Sequence, residues 1–335
     1  MMRIPEAFLM TASWAGNNRS EREGDGTMSA WTIDRIPITS LASGAEVWLA
    51  LHELRGRRGD GPTLGLCAAL HGDEAVGVEI LFRVRGMLEA QDLRGRVLML
   101  PCANPLSYAA TTRNTPLDMT NLNRVFPGDP RGTFTERLAD AITSRFLSRV
   151  DALVDLHAGG AYPTVDYVYI ENDERLSRAF GSAWLYRPQE LYPGTASGVT
   201  RGRNVPSVVV ELGGGDIDQS EYVDRGIRGI TNIMRTLEML PGAPAAAPPQ
   251  TVLTELVTIR PRTGGLLIPE ITALGIEIGP EAILGRIYHP QTFEELETIR
   301  APFRRNVTIL VHRTADVVEP GSYGYMIGNL DSATA

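Results

Sequence analysis

The sequence predicts an α/β domain followed by a small all-β domain. Three observations carry that prediction. Between residues 60 and 240, short apolar runs alternate with helix-like stretches. Three of those runs lead into an ionisable residue with a glycine turn behind it. Past a Pro/Ala stretch at 241–250, the pattern changes to brief β-prone runs punctuated by Gly and Pro. At 335 residues, 43% apolar and 21% charged, the chain suffices for one large domain plus a smaller one. The net charge is -8, with no basic run or basic–aromatic stripe, which argues against a nucleic-acid partner. No apolar run approaches the roughly 18 residues of a membrane span. Cys67 and Cys102 lie inside apolar runs and read as small core residues, so a reducing, cytoplasmic compartment is expected. All 32 basic side chains are arginine, which excludes Schiff-base chemistry on a lysine.

Residues 1–30 have no regular pattern. Phe8-Leu9-Met10 is too short for a signal-peptide core, and no A-x-A-like site follows. Asn17 to Thr27 is polar and Gly-rich, so 1–30 reads as a flexible tail, with Met28 as an alternative start. Ile33 to Leu51 alternates enough for two strands, and Arg55 to Pro62 is a charged turn. Leu64 to Leu70 reads as a buried strand, and Ala75 to Phe82 as the start of a helix. Arg96 to Pro101 is a second buried strand, ending at the turn dipeptide Asn104-Pro105. Thr111 to Asn123 is a long polar loop, of the kind that often carries function. Thr133 to Val150 reads as a helix, with Thr133 and Glu136 at capping-box spacing. Asp151 to His157 and Pro206 to Val210 are further strands, and Tyr222 to Leu240 is the closing helix of a 31–240 domain. Residues 241–250 are a linker. Val257–Ile259, Gly265–Pro269, Ala282–Ile287 and Val307–Val311 then make 251–335 a small β domain.

The apolar runs end at His71, His157 and Glu211. Ligands of open α/β sheets gather at the carboxyl ends of strands, and glycine lets the backbone approach them closely. His71 and Glu74, three residues apart across a turn, can face one metal ion. Zinc accepts imidazole nitrogen and carboxylate oxygen, and a catalytic zinc keeps three protein ligands and an open position. The pair alone is a frequent chance pattern, and a lone His beside a strand is more often a hydrogen-bonded structural residue.

His71-Gly72-Asp73-Glu74, Asn121-Leu122-Asn123-Arg124-Val125-Phe126-Pro127-Gly128, Asp155-Leu156-His157 and Glu211-Leu212-Gly213-Gly214 stand in a telling order and spacing. In these four motifs the chain resembles the succinylglutamate desuccinylase/aspartoacylase family, relatives of the zinc carboxypeptidases. The resemblance implies a mixed central sheet with flanking helices, zinc carboxypeptidase-like, plus a small C-terminal barrel-sandwich-like domain. It implies a Zn²⁺ cofactor held by His71, Glu74 and His157, with water in the fourth position. Glu211 then corresponds to the general base and Arg113 to the arginine that stabilises the oxyanion. Asn123 and Arg124 correspond to the pair that grips a substrate α-carboxylate. The activity implied is a zinc-dependent amidohydrolase that deacylates a small-molecule N-acyl amino acid by metal-activated water attack. Two alternatives stay open: a metallocarboxypeptidase on a short peptide, and a non-catalytic metal-dependent binding module. Asp155 to Gly160 and Phe126 to Gly128 look closest to the N-acetyl-diaminobutyrate deacetylase-like branch.

Other residues near the motifs have plainer readings. Asp155, two residues before His157, could face away, and is read as supporting the ligand or as structural. Asp73 either orients a ligand or caps the following helix. Arg201 lies where aspartoacylase itself carries a substrate-reading arginine, but a solvated surface residue is the expectation here. His52, His289 and His312 are expected to have no catalytic role; Tyr162 and Tyr288 are candidates to reach the site. The C-terminal module resembles biotinyl and lipoyl carriers, yet the absence of lysine excludes a carrier. It is expected to wall or cover the active-site mouth, or to form a homo-oligomer contact.

Overall fold

The computed structural model describes residues 31–334; the expected tail at 1–30 lies outside the described residues. Two antiparallel strands, β1 (Thr32–Ser40) and β2 (Glu46–Arg55), form one edge of the large sheet. In β3 (Thr63–Ala68) every residue is buried, as a strand covered on both faces must be. After it come α1 (Val76–Glu89), β4 (Arg96–Leu100), α2 (Pro105–Ala110) and α3 (Phe134–Arg145). Thr133 and Glu136 close the expected capping box at the start of α3. Next are β5 (Ala152–His157), again wholly buried, β6 (Thr164–Ile170), α4 (Glu174–Ala179) and β7 (Trp184–Tyr186). The first half closes with α5 (Ala196–Gly202), β8 (Ser207–Gly213) and α6 (Ser220–Thr236). Beyond residue 250 the described chain is almost entirely β: β9 (Thr251–Leu253), β10 (Leu256–Ile259), β11 (Gly265–Pro269), β12 (Glu277–Ile278), β13 (Ile283–Tyr288), β14 (Glu295–Arg300), β15 (Asn306–Leu310), β16 (Asp316–Val318) and β17 (Tyr325–Asn329).

The large sheet is mixed and runs β1-β2-β4-β3-β5-β8-β6-β15-β17-β10. Its middle, β4-β3-β5-β8, is parallel, and β6 returns antiparallel beside β8. The C-terminal residues build two things. β11, β13, β14 and β16 make a separate antiparallel sheet. β15, β17 and β10 extend the large sheet past β6, and β9 pairs with β7.

Period-two alternation along the parallel strands sorts the core into two layers. Leu64, Leu66, Val154, Leu156, Val208 and Val210 pack under α1, α4 and α6. Cys67 and Leu153 face the other layer, with α3 and the start of α5. His157 is an odd-numbered residue of β5, so it belongs to the α3/α5 side, at the carboxyl end of the parallel strands.

α6 approaches its neighbours through glycine. A Cβ at Gly229 would lie 2.4–2.6 Å from three ring atoms of the buried Phe180. At the exposed Gly86 of α1, a Cβ would meet nothing within 4 Å. Gly→Ala inside a helix ordinarily gains about 1 kcal/mol. Gly86→Ala should show that gain in chemical denaturation. Gly229→Ala should instead lose about 1–3 kcal/mol through overpacking; a stabilised Gly229→Ala would contradict the packing.

Candidate metal centre and active site

The turn after β3 is held by close packing. Ala69 takes a left-handed conformation (φ 53°) and swings the chain away from the sheet. Gly72 then lies so near α2 that a Cβ would sit 2.0 Å from the Ser107 carbonyl. Its N–H donates to Thr112 O at 2.9 Å. Only glycine fits there, and the packing fixes where His71 and Glu74 point. From β5 comes His157, in register with Glu211 of the parallel neighbour β8, so both side chains share a face.

His71, Glu74 and His157 offer ligand atoms that all lie within 4.8 Å of one another, and all three residues are buried. Glu74 takes His71 Nδ1 on Oε1 at 2.7 Å and His157 Nδ1 on Oε2 at 2.9 Å. The outer nitrogens have their own partners. His71 Nε2 meets Asn121 Oδ1 at 3.2 Å, an oxygen that already accepts from Asn123 N. His157 Nε2 meets the carboxylate Oδ2 of Asp155 at 3.1 Å. With a metal bound, each Nε2 would keep its proton toward its acceptor, Asn121 or Asp155, and each Nδ1 would turn a lone pair inward. Without one, the Nδ1 atoms lie against the Glu74 carboxylate. A divalent metal would lie between these donors, and the donor set suits zinc.

The electrostatics follow from burial and these neighbours. Burial keeps His71 below the ordinary imidazole range, so it stays neutral. For His157 burial is outweighed by the charges of Asp155 and Glu74, which hold it well above that range. Glu74 is ionised: burial opposes the charge, but His71 and His157 bring its carboxyl well below the usual range. Glu211 is pushed up to about 8, chiefly by burial and then by the charge of Glu74, against the pull of His157 and Arg113. A bound cation would draw it back down.

Arg113 stands at the centre, with its guanidinium 3.2 Å from Glu74 Oε1. Asn123 gives Oδ1 to the Ala196 N–H at 2.9 Å, which leaves its Nδ2 on the cavity side, 3.4 Å from His157 Nε2. Arg124 stacks on Tyr192, 4.5 Å from the ring centre. All of these border one cavity of about 250 Å³. Thr258, Leu310, Tyr323 and Met326 close it from the C-terminal region, which therefore forms part of its wall.

Asp155 supports His157 directly, as its reading as a support for the ligand expects; residues two apart on a strand share a face. Other expectations need correction. Asp73 does not cap α1, whose N-cap position, Ala75, has no side-chain bond; Asp73 borders the cavity instead. Arg201 is not merely solvated: it pairs with the buried Glu171 at 2.9 Å. Tyr162 reaches the cavity, whereas Tyr288 lies in β13 and does not border it. His52 and His289 stand apart from the cavity, and His312 sits behind Tyr162, rings 4.2 Å apart. Sequence reasoning passed over Tyr167, Tyr169 and Glu171, which line the cavity from β6 and just beyond it; their alternation was the available signal.

The sequence profile of the succinylglutamate desuccinylase/aspartoacylase catalytic domain matches residues 60–237, more than half of the chain. The N-alpha-acetyl-L-2,4-diaminobutyric acid deacetylase of Halomonas elongata is 33% identical over 220 residues. That match covers 62% of this chain and 59% of the relative, so under two thirds of its length is spanned. A succinylglutamate desuccinylase from Silicibacter sp. TM1040 superposes with a TM-score of 0.79 at 25% identity, covering 91% of this chain and 96% of that one. The product-bound ectoine utilization protein EutE (DoeB) from Ruegeria pomeroyi gives 0.79 at 25% identity, over 89% and 95%.

Metal analysis tests the centre. Protein purified without chelator and exposed to Zn²⁺ should hold about one ion per chain, as a three-ligand site does. His157→Ala should hold far less. Stoichiometric metal in that variant would remove His157 from the ligand set.

Proposed function

Because the chain belongs to the succinylglutamate desuccinylase/aspartoacylase family, we propose that it is a zinc-dependent amidohydrolase that deacylates an N-acyl amino acid. The observation that carries this reading is Glu211, a half-buried carboxylate on the same sheet face as His157, whose ring joins His71 and Glu74. A pure binding module has no use for a proton acceptor there. His71, Glu74 and His157 would hold the zinc, which when bound activates water and polarises the amide carbonyl.

The chain's own groups supply the rest. Glu211 takes a proton from the attacking water and delivers it to the departing nitrogen, so one carboxyl serves as base and then as acid. Burial raises its carboxyl, and a bound cation would counter that rise. Arg113 stays charged: burial works against it, but Glu74 and its other neighbours raise it further. From its place beside Glu74 it stabilises charge developing on the carbonyl oxygen. Arg124 offers a planar fork to the substrate α-carboxylate, with Tyr192 stacked on it and the Asn123 amide alongside.

The metallocarboxypeptidase reading uses the same central residues. A cavity of about 250 Å³, walled in part by C-terminal side chains, suits an acyl amino acid better than a peptide. The Halomonas relative, by its name, deacetylates such a molecule, and that supports the reading. No helix among the described residues is long and apolar enough to cross a membrane. Cys67 and Cys102 are both free.

Glu211→Gln is nearly isosteric and should keep its zinc. Turnover of an N-acyl amino acid should fall by about 10²–10⁴-fold, the usual loss on removing a general base. Affinity for the product should stay within about tenfold, because the carboxylate grip remains. Near wild-type turnover would refute the role, and loss of zinc would make Glu211 a ligand.

A further inference from the structure

Arg113 reaches the metal centre from a loop, and a loop does not hold a side chain still without outside support. The carbonyls on either side of it, Thr112 O and Asn114 O, both face the hydroxyl of Ser107 in α2. Ser107 Oγ donates to Thr112 O and lies 3.3 Å from Asn114 O. The same oxygen accepts the Gly72 N–H at 3.1 Å, and Gly72 stands directly after His71 and two residues before Glu74. One buried hydroxyl thus touches the backbone on both sides of Arg113 and the turn that carries two of the metal ligands.

Short as it is, α2 is fixed from both sides. Asn104 caps it, with Oδ1 accepting the Ser107 N–H at 3.2 Å, while its Nδ2 donates to Thr115 Oγ1 at 2.9 Å, further along the same loop. The Thr112 N–H donates to the Ser107 carbonyl at 3.1 Å. Asn104, Ser107 and Thr115 are all fully buried. Ser107 does not border the cavity, so it has no contact with substrate. The groups it binds also have other partners. Thr112 O accepts the Gly72 N–H at 2.9 Å, and Asn114 O accepts from Thr112 Oγ1 at 2.8 Å. Removing the hydroxyl therefore leaves none of these groups bare, which limits the cost to folding. What disappears is the tie that holds both sides of Arg113 against the metal turn.

We propose that Ser107 is a positioning residue, whose hydroxyl sets where the Arg113 guanidinium stands relative to the turn bearing His71 and Glu74. This rests on the deacylase reading above and adds the group that places its oxyanion-stabilising arginine. A hydroxyl has one proton and two lone pairs. Here the proton goes to the Arg113 loop and a lone pair to the metal turn, so a single atom fixes the distance between them. That distance matters, because a misplacement of about 1 Å at a catalytic group can cost about 100-fold in rate.

The test is a double-mutant cycle of Ser107→Ala and Arg113→Ala in zinc-loaded enzyme, reading kcat and KM for an N-acyl amino acid together with zinc content. Ser107→Ala should keep its zinc and lower kcat by about tenfold or more, with KM within about threefold because the α-carboxylate grip is held elsewhere. In the Arg113→Ala background the same change should lower kcat by less than about threefold, since no guanidinium is left to misplace. Equal losses in both backgrounds would overturn the proposal, as would an unchanged kcat in Ser107→Ala. Loss of zinc in Ser107→Ala would also overturn it, by making Ser107 a support of the metal turn alone. If Ser107→Ala does not fold, Ser107→Cys, similar in size with a weaker donor, goes through the same cycle. If the wild type hydrolyses no N-acyl amino acid, the deacylase reading fails instead. Calorimetry with inorganic phosphate, a tetrahedral oxyanion, on the four zinc-loaded proteins then decides the positioning role. Ser107→Ala should weaken phosphate binding only where Arg113 is present, and equal weakening in both backgrounds overturns the role.

Discussion

Glu74 is the point on which the site converges. Its two oxygens reach in two directions, one to the loop after β3 through His71 and one to the end of β5 through His157. Arg113 from the long polar loop and the N–H of Ala158 also bind it. A carboxylate buried this deeply is costly unless its charge is fully met. Four partners from three chain segments meet it, and in doing so they place both imidazoles with Nδ1 inward. Asn121 and Asp155 fix that ring orientation from behind. Glu211 then needs only the register of β8 on β5 to stand in the same cleft.

The C-terminal region bears on this site more directly than a separate module would. β15 meets β6 through Leu310 and Thr164, which brings the C-terminal strands alongside the cavity. Leu310, Tyr323 and Met326 supply part of its wall. His312 braces the same corner, its Nε2 on the carbonyl of Tyr323 and its ring against Tyr162. These side chains narrow the cavity, and burial beside them strengthens the charge interactions along its wall.

Much of the site was legible in the sequence because its residues are tied to local signals. His71, His157 and Glu211 each follow an apolar run, and α3 announced itself through Thr133 and Glu136. The mixed sheet and the C-terminal β region followed from the change of period along the chain and from family resemblance. What escaped depends on contacts between distant residues. Glu171 looks like an ordinary surface acid until β6 is paired with β8 and α5 is laid over it. Arg201 looked solvated for the same reason. Tyr323 reaches the cavity through pairings between strands more than 140 residues apart. Asp155 was legible, since period two alone puts it on the face of His157, where it supports the ring.

The most direct measurement is amine release from an N-acyl amino acid while metal-free protein is titrated with Zn²⁺. The rate should rise in proportion to added zinc and level off near about one equivalent per chain, the stoichiometry of a single three-ligand site. Full activity in the metal-free protein, or no release at any zinc level across a panel of N-acyl amino acids, would contradict a zinc-dependent deacylase.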